Sequence, residues 1–355
     1  MVFTPRLRRT AKNVVVTSLW LIGRYRKALR EIRKPIILKY HRTHASNDAT
    51  SSVNGFFEFE RGVSARHLDA QARLITRYRK PIGMDELSEA LRLGKPLPER
   101  AVALTFDDGY IDNYEVAFPI LRRHKIPATF YVCPGLIDSN LGFWWDEIYS
   151  CFRETKQVAI DISKLAAYGA ISQNLKEDLL PMRTVAERES VAQRIIVMAK
   201  RLPVQRIHEL IADLVDVLDV SKAESSPVSG LMGWPHINEM ANNGMDIGSH
   251  TLTHPMMSQM SEQVLRQEVQ DSRRRLQDEL GRSVNGFVYP SGDYHAMARD
   301  VVRQAGHWYA CTSESGFVTS SSDPYLLKRV NISDGNMALS CREIVLTYNR
   351  HAQDR

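Results

Sequence analysis

Ala101-Val102-Ala103-Leu104-Thr105-Phe106-Asp107-Asp108-Gly109-Tyr110 is the stretch on which the fold turns. Its first six residues make a short, nearly all-apolar run suited to a buried strand, and two carboxylates and a glycine end it abruptly. A helical stretch from Asn113 to His124 follows. Similar runs recur along the chain. Pro35 to Tyr40 leads into His41-Arg42-Thr43-His44, Ala128 to Val132 reads as a third strand, and Met245 to Gly248 leads into Ser249-His250-Thr251-Leu252-Thr253-His254. Val284 to Tyr289 ends in Pro290-Ser291-Gly292, His307 to Cys311 follows a helix from Ala296 to Ala305, and Leu326 to Ile332 gives a last strand. Strands alternating with helices pair in parallel through helical crossovers, in a barrel or in a doubly wound sheet. Four polar clusters each lie just past a strand's C-terminal end, where a barrel collects its reactive side chains at one mouth. The barrel is therefore the expected α/β architecture.

The interval from Gly135 to Met245 is too long for a crossover and carries its own helical runs, Thr184 to Leu202 and Gln205 to Val220. It predicts a helical insertion over residues 135–230, opened by Phe143-Trp144-Trp145, with a flexible return over Ser221 to Gly230. Pro235 suits the first turn of a helix beyond it. The expected organisation is a basic amphipathic helix over 1–34, a barrel over 35–134 and 231–340, and a C-terminal helix over 341–355.

With 355 residues, 43% hydrophobic and 25% charged, the chain has ordinary globular composition, so disordered, collagenous and disulfide-scaffold classes are excluded. Cys133, Cys151, Cys311 and Cys341 form no CxxC pair and read as buried thiols, a mild sign of a reducing compartment. Charge is uneven. Residues 1–34 hold ten Lys and Arg against one Glu, so the overall charge of +6 leaves the remaining chain at −3, which argues against nucleic-acid binding. The N-terminal segment lacks the length of a spanning helix and a small-x-small cleavage site, and is read as retained. Its helical spacing of Val14, Leu21, Tyr25, Ala28 and Ile32 fits either an interfacial helix on anionic lipid or one packed on its own domain. The expected location is cytoplasmic, with peripheral contact to the inner membrane face as the variant that a lipid-bound helix implies.

His250 and His254, spaced i, i+4, would present both imidazoles on one face of a helix, and an HxxxH pair alone is equally compatible with structural histidines. Asp107-Asp108 adds the missing acid. On an extended strand neighbouring side chains point opposite ways, so one carboxylate can join the imidazoles while the other faces a substrate as base. Two imidazoles and a carboxylate leave open coordination positions, the arrangement of a catalytic rather than a closed structural metal site. A divalent ion there activates water and polarises a carbonyl, which points to acyl hydrolysis.

Thr105-Phe106-Asp107-Asp108-Gly109-Tyr110, Ser249-His250-Thr251-Leu252-Thr253-His254 and Phe287-Val288-Tyr289-Pro290-Ser291-Gly292 resemble the first three motifs of polysaccharide deacetylases, carbohydrate esterase family four, which includes nodulation chitooligosaccharide deacetylases. The resemblance spans roughly residues 35 to 335 apart from the insert. It implies a deformed (β/α) barrel, here of about seven strands with the helical insertion. It also implies Asp107 as general base, Asp108, His250 and His254 as metal ligands, and Ser291 as the residue whose backbone N–H helps hold the oxyanion. Zinc is the expected metal, with cobalt, nickel or iron as alternatives.

Two positions depart from the family pattern. The third motif usually opens with an Arg that orients the base, and Val288 stands there; Arg329 is the candidate replacement, or else a surface charge. The late Leu-x-His motif that carries the general acid is absent. His41 follows the first strand in the order seen in exported poly-N-acetylglucosamine deacetylases, which makes it the candidate acid, with a structural histidine as the other reading. The expected reaction is removal of N-acetyl groups from N-acetylhexosamine units of an oligo- or polysaccharide or lipid-linked glycan, in exopolysaccharide or lipopolysaccharide biosynthesis. The alternatives are an O-acetyl sugar esterase of the acetylxylan type and a catalytically silent glycan-binding barrel. His295 near the third motif, and Trp144, Trp145 and Trp308, are secondary candidates for touching sugar.

Overall fold

The computed structural model describes residues 30–45, 62–139, 142–168, 178–220 and 230–332. Most of the basic N-terminal segment, the Ser221 return, Cys341 and the expected C-terminal helix lie outside them. Among the described residues no helix is long and apolar enough to cross a membrane. The described chain divides into two compact units, one of 30–45, 62–135 and 232–332, the other between 136 and 231.

Among the described residues, seven parallel strands run through the main sheet of the first unit: β1 (Ile36–Tyr40), β2 (Ala101–Phe106), β3 (Ala128–Val132), β4 (Asp246–Ser249), β5 (Gly286–Val288), β6 (Tyr309–Cys311) and β7 (Val330–Asn331). Their order is β6-β5-β4-β3-β2-β1-β7, with a short strand Lys80–Pro81 beside β2. β1, β2 and β3 are buried at every residue, as strands covered on both faces must be, and their apolar runs are correspondingly unbroken. Helices α1 (Ala65–Tyr78), α2 (Met84–Arg92) and α3 (Phe118–His124) belong to the same unit. The segment read as helical from Asn113 begins with one π turn, Asn113–Ala117, before α3.

The sheet curls into the deformed barrel that the motifs imply. Two glycines make its interior possible. A Cβ at Gly248 would meet the Tyr131 ring at 2.3 Å, and one at Gly286 would meet the Tyr309 hydroxyl at 2.3 Å, so bare backbone on β4 and β5 leaves room for two tyrosines inside. Outside, Tyr40, Phe106 and Phe130 stack from strand to strand at 4.8 Å, and the Tyr40 hydroxyl donates to Gln71 on α1. The last predicted strand, Leu326 to Ile332, is reduced to two ladder residues because the segment serves two neighbours. Leu327 bridges Cys311 of β6, whereas Val330 pairs with Leu38 of β1. Arg329 lies between these two pairings.

The second unit holds α4 (Trp144–Glu154), α5 (Val185–Ala199) and α6 (Val204–Val217) around its own core of residues such as Phe152, Ile195, Leu210 and Leu214. A Thr184–Glu187 capping box starts α5. The unit also carries an antiparallel strand pair, Ala159–Asp161 with Leu179–Pro181, that helical periodicity did not suggest. Trp144 and Trp145 pack against its core rather than standing free. Back in the barrel unit, α7 (Trp234–Asn242) has Pro235 in its first turn, and α8 (Glu262–Leu280) and α9 (Ala296–Gln304) follow it.

His307 is a buried cost of this packing. It is 2% exposed, its ring lies 5.3 Å from that of Phe287, and neither ring nitrogen finds a partner among the described residues. Burial, with the charge of Arg273 adding to it, pushes its pKa down to about 3. The unfolded chain takes up a proton near pH 6.5 and the folded chain does not, so His307 costs stability progressively as pH falls from 6.5 to about 3. Integrated over that window the loss is at most ~5 kcal/mol. His307→Leu should flatten that part of the curve in urea titrations at pH 7 and pH 4. An unchanged difference between the two pH values would count against it.

Candidate active site

Register sets the site. Tyr40 of β1 pairs with Phe106 of β2, and Val132 of β3 with Ser249 of β4, so His41, Asp107 and His250 all leave the sheet at one rim. The Asp107 N–H donates to the Tyr40 carbonyl and the His250 N–H to that of Val132, which extends the ladders by one residue.

Beyond these bonds the backbone leaves the regular forms. Asp108 has φ 78°, a left-handed conformation that Asp tolerates better than most residues. The two carboxylates therefore diverge through a turn, where strand alternation was expected to separate them. Nor do His250 and His254 sit on a helix. They flank a loop in which Thr251 and His254 have φ of 65° and 61°, and the Thr251 hydroxyl oxygen accepts the His254 N–H at 2.9 Å. The two rings meet edge to face with centroids 4.6 Å apart.

The outcome is a buried cluster of Asp108, His250 and His254 whose ligand atoms all lie within 4.8 Å of one another. Asp108 Oδ1 stands 3.4 Å from His250 Nε2 and 3.7 Å from His254 Nε2. Metal–ligand bonds of 2.0–2.2 Å in a tetrahedral shell put neighbouring donors roughly 3.4 Å apart, so the spacing fits one ion. His250 Nδ1 lies 2.9 Å from the Val288 carbonyl, which assigns its proton to that nitrogen and turns the Nε2 lone pair toward Asp108. Burial works to raise the Asp108 pKa, but the histidines around it, His250, His41 and His254, pull it down, and the net direction is well below the usual carboxylate range. A carboxylate and two imidazoles at this spacing make a donor set that fits a divalent metal.

Asp107 points the other way, to Arg329. The guanidinium donates to both carboxylate oxygens at 2.7 Å, and also to the Thr105 hydroxyl at 3.1 Å and the Thr312 carbonyl at 3.0 Å. Arg329 is 1% exposed and Asp107 2%. Burial works to raise the Asp107 pKa; the charge of Arg329 and its hydrogen bonds override this, and the net direction is down. Arg329 is no surface charge. On the open side, His41 Nε2 stands 3.9 Å from Asp107 Oδ2, with 43% of its side chain exposed. Lost hydration of the ring lowers its pKa, against the pull of Asp108 and Asp107.

Ser291 follows β5 at the same rim, exposed and in the left-handed conformation, φ 55°. His295 caps α9 by accepting the Ala298 N–H, and Trp308 lies under the Arg92 guanidinium at 4.5 Å. Cys133, Cys151 and Cys311 are buried free thiols.

Sequence reading missed Glu268. This carboxylate, 8% exposed on α8, accepts the Leu252 and Thr253 N–H groups at 2.8 and 2.9 Å and the Thr253 hydroxyl at 2.7 Å. It holds the loop between the two histidines in its unusual form. The only signal was a Glu falling among the apolar positions Leu265, Val269 and Leu276 of a helix. Glu268→Gln keeps one acceptor and loses the charge, and should weaken cation binding about 10- to 100-fold, read by titration with zinc. An unchanged zinc affinity would show that the loop holds itself.

The family model described as polysaccharide deacetylase matches residues 94–163 and 213–310, which include Asp107, Asp108, His250 and His254 but neither His41 nor Arg329. YxkH of Bacillus subtilis, provisionally named a polysaccharide deacetylase, is 20% identical over 319 residues, 90% of this chain and 76% of that one. The poly-β-1,6-N-acetyl-D-glucosamine N-deacetylase of Escherichia coli K12 is 45% identical over 60 residues, 17% of this chain and 9% of that protein. The Streptococcus pyogenes deacetylase PplD, solved in complex with acetate, superposes with a TM-score of 0.56 at 20% identity, over 88% of this chain and 97% of that one. The likeness to PplD is one of fold.

Proposed function

The chain belongs to the polysaccharide deacetylase family, and from that membership we propose that it is a metal-dependent N-deacetylase of N-acetylglucosamine-type glycans. The observation that carries this reading is the division of labour between adjacent carboxylates: Asp108 faces two imidazoles, and Asp107 is paired with Arg329 on one side and has the half-exposed His41 3.9 Å away on the other. The short, strong match to a poly-N-acetylglucosamine N-deacetylase supports an N-acetylated polymer over other acyl substrates.

A divalent cation held by Asp108, His250 and His254, zinc being the first choice, would supply Lewis acidity that acidifies water and polarises the acetamide carbonyl. Asp107 takes the proton from the attacking water. Arg329 keeps that carboxylate ionised and fixes its plane by a two-pronged contact, so it meets the water preorganised. The Ser291 backbone N–H is suited to the developing oxyanion, since its left-handed turn follows the strand end at the rim. His41, 3.9 Å from Asp107 and open to solvent, donates a proton to the departing amine. Acetate and a free amino sugar result.

The test is metal analysis of the purified chain together with acetate release from N-acetylglucosamine oligomers and from acetylated xylan. One metal per chain with release from the amide substrates is expected. Release only from xylan would assign an O-acetyl esterase, and bound metal and glycan with no release from either would assign a silent binding barrel.

A further inference from the structure

His41 is poorly held by its own ring. Among the described residues its imidazole makes no hydrogen bond: Asp107 Oδ2 stands 3.9 Å away, beyond hydrogen-bond reach, Asp108 acts on the ring only through its charge, and nearly half the side chain is open to solvent. A proton donor must nonetheless be aimed at the leaving group, so its direction has to come from its backbone.

That backbone is clamped. The His41 carbonyl accepts the Asn113 amide at 2.8 Å, and the Thr43 N–H donates to Asp112 Oδ1 at 2.9 Å. Arg42 Nε donates to Asp112 Oδ2 at 3.1 Å, and the Thr43 hydroxyl to the Asp112 carbonyl at 2.8 Å. Asn113 closes the network with a 2.8 Å bond to Asp112 Oδ1, and the Arg42 guanidinium lies 4.0 Å over the Tyr110 ring. Three consecutive residues, 41 to 43, are thus bound to one pair, 112 and 113. All of Arg42, Thr43, Asp112 and Asn113 are buried.

The clamp carries its own cost. Both acceptors facing Asn113 lack protons to give, so its amide nitrogen turns to them and its oxygen is left buried without a partner among the described residues. Asn113 also opens the π turn, a geometry that recurs at functional sites. Asp112 and Asn113 stand five and six residues past Asp107 on the same segment, so the stretch that carries the base also grips the stretch that carries His41.

Resting on the reading of His41 as proton donor, we propose that Asp112 and Asn113 are positioning residues that hold His41 in register with Asp107. Being buried, they touch no substrate. Their loss should act on the step that needs the proton and leave binding alone.

Leaving-group dependence tests this. An acetamide needs its amine protonated, whereas the phenolate of 4-nitrophenyl acetate departs without help. Asn113→Ala, which leaves the Arg42–Asp112 pair intact, should lower kcat on N-acetylglucosamine oligomers about 10- to 100-fold, with KM within twofold and aryl acetate turnover within threefold. Thr43→Val, nearly isosteric, removes the hydroxyl's bonds to Asp112 in the same clamp and should shift the same ratio in the same direction if Asn113→Ala folds poorly. His41→Ala should show the split in larger form. Equal losses on both substrates for the clamp variants, or no loss on either, would overturn the positioning role. A His41→Ala variant without the split would instead remove His41 as donor, and wild-type protein inactive on every amide would remove the function with both.

Discussion

Arg329→Met should destabilise the protein by about 3–5 kcal/mol, the cost of stripping one partner from a buried ion pair. The guanidinium spends four hydrogen bonds inside the barrel, two of them at 2.7 Å to Asp107, and Met fills most of its volume without replacing any. The abandoned carboxylate then has only the weaker pull of His41 and His250 against burial, and its pKa, now held down, should rise above the ordinary carboxylate range. This changes the pH dependence in a defined sense. In the native protein Asp107 has a lowered folded pKa, so its contribution is present at neutral pH and fades as pH falls through the carboxylate range. In Arg329→Met the sign reverses, and acidification should relieve part of the damage. Urea denaturation at pH 7 and pH 5 measures both effects. Adding Asp107→Asn should return much of the lost stability, because the remaining unpaired charge is gone. A single variant costing under 1 kcal/mol would mean the pair is solvated.

Asp107→Asn should lower acetate release about 10²- to 10⁴-fold, the usual contribution of a general base, while leaving metal uptake intact. The distinction follows from the geometry: Asp108, His250 and His254 would be the cation's donors, whereas Asp107 faces Arg329. His254→Ala makes the contrast, since it should lose the metal and the activity together. Asn also turns an amide NH2 toward a guanidinium N–H, so some stability is lost with the base. Turnover is therefore compared at a temperature where denaturation curves show the variant folded. Metal loss in Asp107→Asn would place this carboxylate in the coordination shell and undo the assignment of roles.

Much of this centre was legible before any coordinates. Asp107 and Asp108 end an apolar run that can only be a buried strand, and His250 and His254 follow another, so barrel logic sends all four to one rim. The means of convergence was misjudged: left-handed turns at Asp108, Thr251 and His254 do what a helix and an extended strand were expected to do. Positive φ outside glycine has little signature in a single sequence, because tertiary bonds such as those to Glu268 stabilise it. Arg329 was half visible, as a basic residue in a strand where a motif lacked its Arg. Its neighbours gave no way to tell a surface charge from an interior one.

Local patterning was enough to declare the strands, the rim and the chemical kinds of side chain at it, because alternation and burial are properties of segments a few residues long. The pairing of Arg329 with Asp107 across 222 residues, the grip of Glu268 on the histidine loop and the tie between residues 41–43 and 112–113 came only with barrel closure. Those contacts join segments whose separation along the chain carries no periodic signal, and they exist because a curled sheet leaves a closed interior where polar groups must find one another.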